Sequence, residues 1–353
     1  MSGVLGPDAT VLIADPSEAG TIYARGFFGT FGDGGLMLDR TEGTYLAEMD
    51  RLAVVDASGR SLAWSELLRR AVRLEEGFPI RYLVYRDLRQ RGYVVRASPP
   101  PTRFAVLPRG GVLNKTPARF WVEPISERTR FDSSVVAAMA DRAHAARKTL
   151  LLGVIDEESD LTYYRVSRPT PHGTRTPGAP WAAVPAFVTE DRVQVLAPEA
   201  VERLSHDHGF GSRIGARLEL SLVEAAYLAE LGAISLKAAT SHRPVELAGF
   251  ARRAARVDPA FGVRLTAYRW LRGRGLIVKT GFKYGAHFRA YVRDPTETHA
   301  RYLIEAVPSD WRAPWPTLAG HVRLAQGVRK EFLLAIVDAE GNVRCLGFER
   351  IRP

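Results

Sequence analysis

The sequence is written twice, and no other feature constrains its fold as tightly. "ARKTLLLGVIDEESDLTYYRV" (146–166) lines up with "VRKEFLLAIVDAEGNVRCLGF" (328–348) at an offset of 182, which sets Lys148 on Lys330 and Asp156 on Asp338. "GTYLAE" (43–48) meets "AAYLAE" (225–230) and "RFWVEP" (119–124) meets "RYLIEA" (301–306) at the same offset. "YRDLRQRGYVVRA" (85–97) meets "YRWLRGRGLIVKT" (268–280) at 183, and "VLIADPSEA" (11–19) echoes "VQVLAPEAV" (193–201). Offsets that hold to one residue over most of a chain mark a tandem duplication, and a fold that ignores them is excluded. The expected division is a first repeat over 1–167, a Pro/Gly-rich linker over 168–190 and a second repeat over 191–353. Proline in the linker fixes the backbone and gives no ladder donor.

Within the second repeat the pattern predicts a helix over 220–236 and another over 260–275 that stops at Gly275. Strands "LIVKTG" and "HFRAYV" follow around a Tyr284-Gly285 turn, then the strand "ARYLIEAV". A helix over 318–330 leads into the strand 332–338, and a last strand closes the repeat. Each repeat therefore reads as an α/β (α+β) unit, helices against a mixed sheet.

The chain has 353 residues and 46% hydrophobic content, enough for substantial cores. It shows no apolar run of the length a membrane span needs, and Met1–Thr10 has no signal-peptide pattern. A single cysteine, Cys345, rules out a disulfide framework and a cysteine-cluster zinc site. A cytoplasmic chain without membrane association is expected. His206 and His208 read as loop polarity rather than a metal pair. The net charge of +10 and pI near 9.9 favour a polyanionic partner. Of the 49 cations 43 are Arg and only 6 Lys, so each lysine is worth locating.

The repeats differ where chemistry would sit. Against "HFRAYVRDPTETHARYLIE" (287–305) the first repeat has "RFAVLPRGGVLNKTPARFWVE" (103–123): Tyr291 faces Leu107 or Pro108, and His299 faces Pro117. Only the lysine column survives in both. This is the pattern of one active unit and one lapsed unit kept as scaffold. "GLIVKTGFKYGAHFRAY", a histidine just ahead of "RYLIE", and "HVRLAQGVRKEFLLAIVD" together resemble the nuclease domain of tRNA-splicing endonucleases, and the duplication resembles the archaeal homodimeric type. The resemblance implies a small N-terminal α/β subdomain in each repeat. It also implies a C-terminal restriction-endonuclease-like nuclease subdomain, at about 260–353 in the second.

What the resemblance implies for the site is a triad of Tyr291, His299 and Lys330, with no metal and no cofactor. A ribose 2′-hydroxyl would attack the adjacent phosphate and leave a 2′,3′-cyclic phosphate and a 5′-hydroxyl. Histidine, with an ordinary pKa of about 6.5, suits the acid role. Tyrosine, near 10, serves as a base only where cations favour its anion. A lysine ammonium suits the charge of five-coordinate phosphorus. None of the six lysines has Asp or Glu two places before it, so the acid-x-lysine pattern of metal-dependent nucleases is missing. Taken singly, His299 reads equally as a surface histidine, Tyr291 as the end of a strand and Lys330 as a cation at a helix C-terminus.

Arg323, seven residues before Lys330 and expected on the same helix face, is a candidate to hold phosphate or stack on an extruded base, with Arg344 as its partner. The implied substrate is precursor tRNA with a bulge-helix-bulge, cut at both intron ends. One intact triad per chain then calls for a homodimer. Asp156, Glu157 and Asp160, in an acidic turn of a basic protein, are the candidate interface; a solvated hairpin tip is the alternative. The rival function is a non-catalytic RNA-binding or assembly subunit.

Overall fold

The computed structural model describes residues 1–98, 100–175 and 182–353. The chain divides into two compact units. One comprises Met1–Thr129, Arg142–Arg165 and Ile351–Pro353; the other comprises Arg130–Asp141 and Val166–Arg350.

In the first unit, strands run in the order Thr30–Gly32, Gly35–Leu38, Val11–Ile13, Ser2–Leu5, Ala53–Val55, Ser61–Leu62. A further set follows in the order Thr149–Ile155, Phe120–Ser126, Phe104–Val106, Val95–Ala97, its first pair parallel. The second unit repeats this plan. Its first sheet has the order Ser212–Ile214, Arg217–Ser221, Arg192–Val195, Val184–Val188, Ile234–Ala238. Its second set is Ile277–Thr280, Phe288–Tyr291, Tyr302–Pro308, Glu331–Val337, Val343–Ile351, with the helix Phe261–Gly273 packed against it. Two tandem α/β units are thus the observed architecture.

Three elements differ from the sequence expectation. The 220–236 stretch is a strand end, a helix Leu222–Glu230 and the strand Ile234–Ala238. Gly232, in the left-handed region at φ +69, ends the helix between them. The helix placed at 318–330 runs Trp315–Gly327. The strand Val184–Val188 begins inside the span read as a linker. Of that span, 176–181 lie outside the described residues. Residues 173–175 bind the second unit: the Gly173 and Arg175 N–H groups donate to the Arg274 and Gly275 carbonyls, and the Thr174 N–H donates to the Val292 carbonyl at 2.9 Å.

The duplication extends to buried charges. In the first repeat Glu42 sits three residues after its helix cap Asp39 and accepts from the Gly29 N–H at 3.0 Å. In the second, Glu224 follows Ser221 and accepts from the Gly211 N–H at 2.8 Å. Gly29 and Gly211 have φ of +73 and +57, and a Cβ at either would meet main-chain oxygen and leucine carbons below 3 Å, so only glycine fits. The carbonyls of the same glycines accept from Arg96 and Lys279. Burial holds the Lys279 ammonium below its usual value.

A second interlock repeats beside the first. Arg89 lies 3.6 Å over the Phe28 ring and donates to the Gly26 carbonyl; Arg272 lies 4.1 Å over Phe210 and donates to the His208 carbonyl. A buried guanidinium is tolerable only with such partners. The matching "RDLRQRG" and "RWLRGRG" motifs therefore carry a shared internal brace.

The packing boundary and the repeat boundary do not coincide. Phe131–Asp132 pairs with Arg312–Ala313, and the Phe131 ring, 1% exposed, packs against Trp311, Trp315 and Phe348. Ser133 donates from its N–H to the Trp311 carbonyl and from its hydroxyl to the Ser309 carbonyl.

Replacing Arg272 with Met should lower unfolding stability by about 2 to 3 kcal/mol, because a buried carbonyl loses a charged donor. Urea unfolding of the two proteins measures this, and an unchanged midpoint would show that the brace carries no load.

Candidate active site

Main-chain register brings Tyr291 and Lys330 to the same end of a sheet, and His299 precedes the strand that runs between them. Phe288–Tyr291 runs antiparallel to Tyr302–Pro308, with Ala290 opposite Tyr302. Tyr302 is level with Glu331 on the parallel strand Glu331–Val337. Just off this rung, the Arg301 N–H donates to the Ala290 carbonyl at 3.0 Å and the Glu331 N–H donates to the Arg301 carbonyl at 2.9 Å. One step further along, Tyr291 ends its strand and Lys330 immediately precedes its own. His299 lies three residues ahead of Tyr302. Two strand spacings separate the backbones at Tyr291 and Lys330, about 10 Å, within reach of two long side chains converging on one phosphate.

Each residue has a local cause for its place. The Tyr291 ring, 8% exposed, packs with Ile277 and with Ala300, the neighbour of His299. The Arg289 guanidinium carbon lies 5.9 Å from the centre of the same ring. His299 is exposed, at the end of a loop organised by Asp294. One Asp294 carboxylate oxygen accepts from the Thr296 N–H at 2.9 Å and its hydroxyl at 2.7 Å, and the other pairs with Arg175 at 2.7 Å. These contacts hold the Asp294 carboxyl below the usual carboxylate range, the Thr296 N–H foremost. The former linker thus anchors the loop that carries the histidine.

Lys330 is not on the helix. The helix ends at Gly327, and Arg329, at φ +54, reverses the chain. The Lys330 N–H then donates to the Ala325 carbonyl and the Arg329 N–H to the Gln326 carbonyl, a Schellman closure. The first repeat does the same: Arg147 has φ +55, Lys148 N–H donates to Ala143 and Arg147 N–H to His144. The lysine column therefore marks the same helix exit in both repeats. The Lys330 ammonium lies 3.3 Å from the Val328 carbonyl and 5.4 Å from the centre of the Tyr284 ring.

The expectation that Arg323 shares a helix face with Lys330 is corrected by this exit: Arg323 is exposed on the helix, and Lys330 lies past its end. Arg344 is ion-paired with Asp141 at 3.0 Å. Asp156, Glu157 and Asp160 form an exposed turn. Asp156 accepts from the Glu158 and Asp160 N–H groups, and Glu157 pairs with Arg128 at 3.1 Å.

Other candidate chemistry is closed off. His287 Nδ1 accepts from the Ala306 N–H at 3.1 Å, which leaves the proton on Nε2, 3.1 Å from Glu305. That histidine is part of the sheet's wall. Cys345 is buried and its thiol is pushed up to about 12 by burial, so it offers no thiolate. Among the described residues no group of three or more His, Cys, Asp or Glu side chains is arranged to hold a metal ion.

Fold and site describe a tandem-duplicated α/β enzyme whose halves each pair an N-terminal with a C-terminal subdomain. The family model described as the tRNA intron endonuclease catalytic C-terminal domain matches residues 78–163 and 261–345, and the model of the N-terminal domain matches 1–68 and 184–250. The chain belongs to the tRNA intron endonuclease family. It is 34% identical over 335 residues to the tRNA-splicing endonuclease of Methanococcoides burtonii, covering 94% of each chain. It is 34% identical over 345 residues to that of Methanosarcina acetivorans, covering 97% of each. To that of Natronomonas pharaonis it is 34% identical over 354 residues, covering 96% of each.

Sequence reasoning missed Arg175, Asp294 and Tyr284. The "DPT" triplet did carry a signal for Asp294, since aspartate ahead of Pro-Thr favours a side-chain-closed turn. Nothing local in "GTR" ties Arg175 to a residue more than a hundred positions away.

The half-buried pair of His287 and Glu305, at the other end of the same strands, gives a pH test. Burial pushes Glu305 up to about 7 and holds His287 down at about 4, with Arg264 and Asp258 also nearby. The raised carboxyl costs stability as pH rises from its unfolded value near 4.5 to about 7. The depressed imidazole adds stability as pH rises from about 4 to 6.5, so the two slopes oppose each other. Glu305→Gln should remove the first slope, and the variant's stability relative to wild type should grow between pH 4.5 and 7. Urea midpoints across that range check the sign.

Proposed function

We propose that this protein is a tRNA-splicing endonuclease that cuts precursor tRNA at both intron boundaries within a bulge-helix-bulge, without a metal. The observation that supports the reading is the register that sets Tyr291 and Lys330 at the same end of the sheet, with His299 just ahead of the strand between them, in the repeat whose sister has Leu107 or Pro108 and Pro117 at the positions of Tyr291 and His299. Membership of the tRNA intron endonuclease family supports it.

In this mechanism Tyr291, as phenolate, takes the proton of the ribose 2′-hydroxyl while that oxygen bonds to phosphorus. The phosphorus–O5′ bond breaks, and His299 gives a proton to the departing O5′. Lys330 offsets the charge that builds on the phosphoryl oxygens. The products are a 2′,3′-cyclic phosphate and a 5′-hydroxyl. Arg323 is free to hold the substrate, whereas Arg344 would first have to leave Asp141.

His299→Ala should slow cleavage of an intron-containing precursor by about 10²- to 10⁴-fold with binding nearly intact. Single-turnover kinetics with end-group analysis tests this, and near-normal cutting would refute the assignment.

Two fixed cuts by one triad per chain require two chains, and the acidic turn is the proposed interface. Reversing the charges of Asp156, Glu157 and Asp160 should shift sedimentation from dimer to monomer. Because Asp156 also closes its own turn, Glu157 and Asp160 alone are the cleaner pair. A dimer that survives both sets of reversals would remove the turn from the interface.

A further inference from the structure

We propose that the short turn Phe282–Tyr284 is a substrate-binding element and that Phe282 is a stacking platform for an unpaired base of the RNA. The proposal rests on the endonuclease reading and adds to it a residue outside the triad and the arginines.

Phe282 is 86% exposed, while the next most exposed large hydrophobic residues among those described, Phe31 and Val257, are 53% exposed. A lone exposed leucine or valine is ordinary, whereas a phenyl ring this exposed, two residues from a tyrosine that meets Lys330, calls for an explanation. The backbone that carries the ring is fixed. Phe282–Tyr284 is one turn of 3-10 helix, closed by the Tyr284 N–H to the Gly281 carbonyl at 2.7 Å and the Gly285 N–H to the Phe282 carbonyl at 3.0 Å. A Cβ on Gly281 would come within 2.6 Å of the Ala286 carbonyl oxygen, so only glycine fits there, and Gly285 takes the left-handed φ of +58 that glycine favours.

Residues two apart on such a helix project about 120° from each other. Tyr284 turns toward the Lys330 ammonium, 5.4 Å from its ring centre, and Phe282 points away into solvent. Lys283, exposed between them, adds a cation. An aromatic platform and a positive charge next to the residues that meet a phosphodiester are what single-stranded nucleotides bind, base on ring and phosphate on ammonium. The first repeat supplies a control: between its equivalent strands it reads "ASPPPTR" (97–103), with no aromatic ring. The ring is absent where Tyr291 and His299 have no counterparts.

The test compares Phe282→Ala and Phe282→Trp in the full-length chain, each also in a His299→Ala background so that precursor tRNA stays intact during binding. The expected result is an affinity about 5- to 100-fold weaker for Phe282→Ala and near wild type for Phe282→Trp. The Phe282→Ala loss should vanish with a precursor made abasic at the stacked bulge nucleotide. Equal binding by all three proteins would overturn the proposal. So would a change in sedimenting mass for Phe282→Ala, since the ring would then serve a second copy of the chain. The two readings fail separately. A wild-type protein that leaves the precursor uncut defeats the endonuclease reading, while the binding comparison still decides whether Phe282 touches RNA.

Discussion

Hydrogen bonds between main-chain atoms of three neighbouring strands set the positions of Tyr291 and Lys330. Tyr302–Pro308 is bonded antiparallel to the tyrosine-bearing strand on one side and parallel to the strand that follows Lys330 on the other. A slip of one residue in either ladder would send every side chain of that strand to the opposite face and put Tyr291 out of step with Lys330. Both faces of these strands are buried, Leu303 and Ile304 beside Leu333 and Leu334, so a slip would disturb apolar packing on two sides at once. The placing of Tyr291 and Lys330 therefore depends on core packing several residues away.

The two repeats keep the same frame for different ends. Glu42 and Glu224, Arg96 and Lys279, Arg89 and Arg272 perform matching tasks in burying a glycine turn against a helix start and a strand. The lysine exit is equally shared. What separates the halves lies in the strand end and loops at 291–299 and in the 282–284 turn. Lys330 is retained for folding in both copies: its backbone closes a helix as that of Lys148 does, while its ammonium meets the Tyr284 ring, which the first repeat lacks.

Much of this was legible in the sequence because duplication doubles the evidence at every aligned position. The strand that ends at Tyr291 was readable from alternation and the strand after Lys330 from its apolar run. The helix exits were not. "HVRLAQGVRK" continues its apolar spacing past Gly327, and only the left-handed backbone at Arg329, a residue with no propensity for it, stops the helix. The 220–236 stretch misled for a related reason: strand, helix and strand follow one another with so few turn residues that their apolar positions merge into one helical pattern. Long-range ties such as Arg175 to Asp294 leave no trace in local spacing.

The Phe131 segment has a bearing on how such a protein can be divided. Its ring belongs to the second unit's aromatic cluster although the segment precedes the repeat join. If the gene were split at the join, the upstream polypeptide would still own a plug that the downstream one needs to seal its interior. The fragments would remain a bound pair, and what is now one chain would become two subunits without any new surface having to evolve.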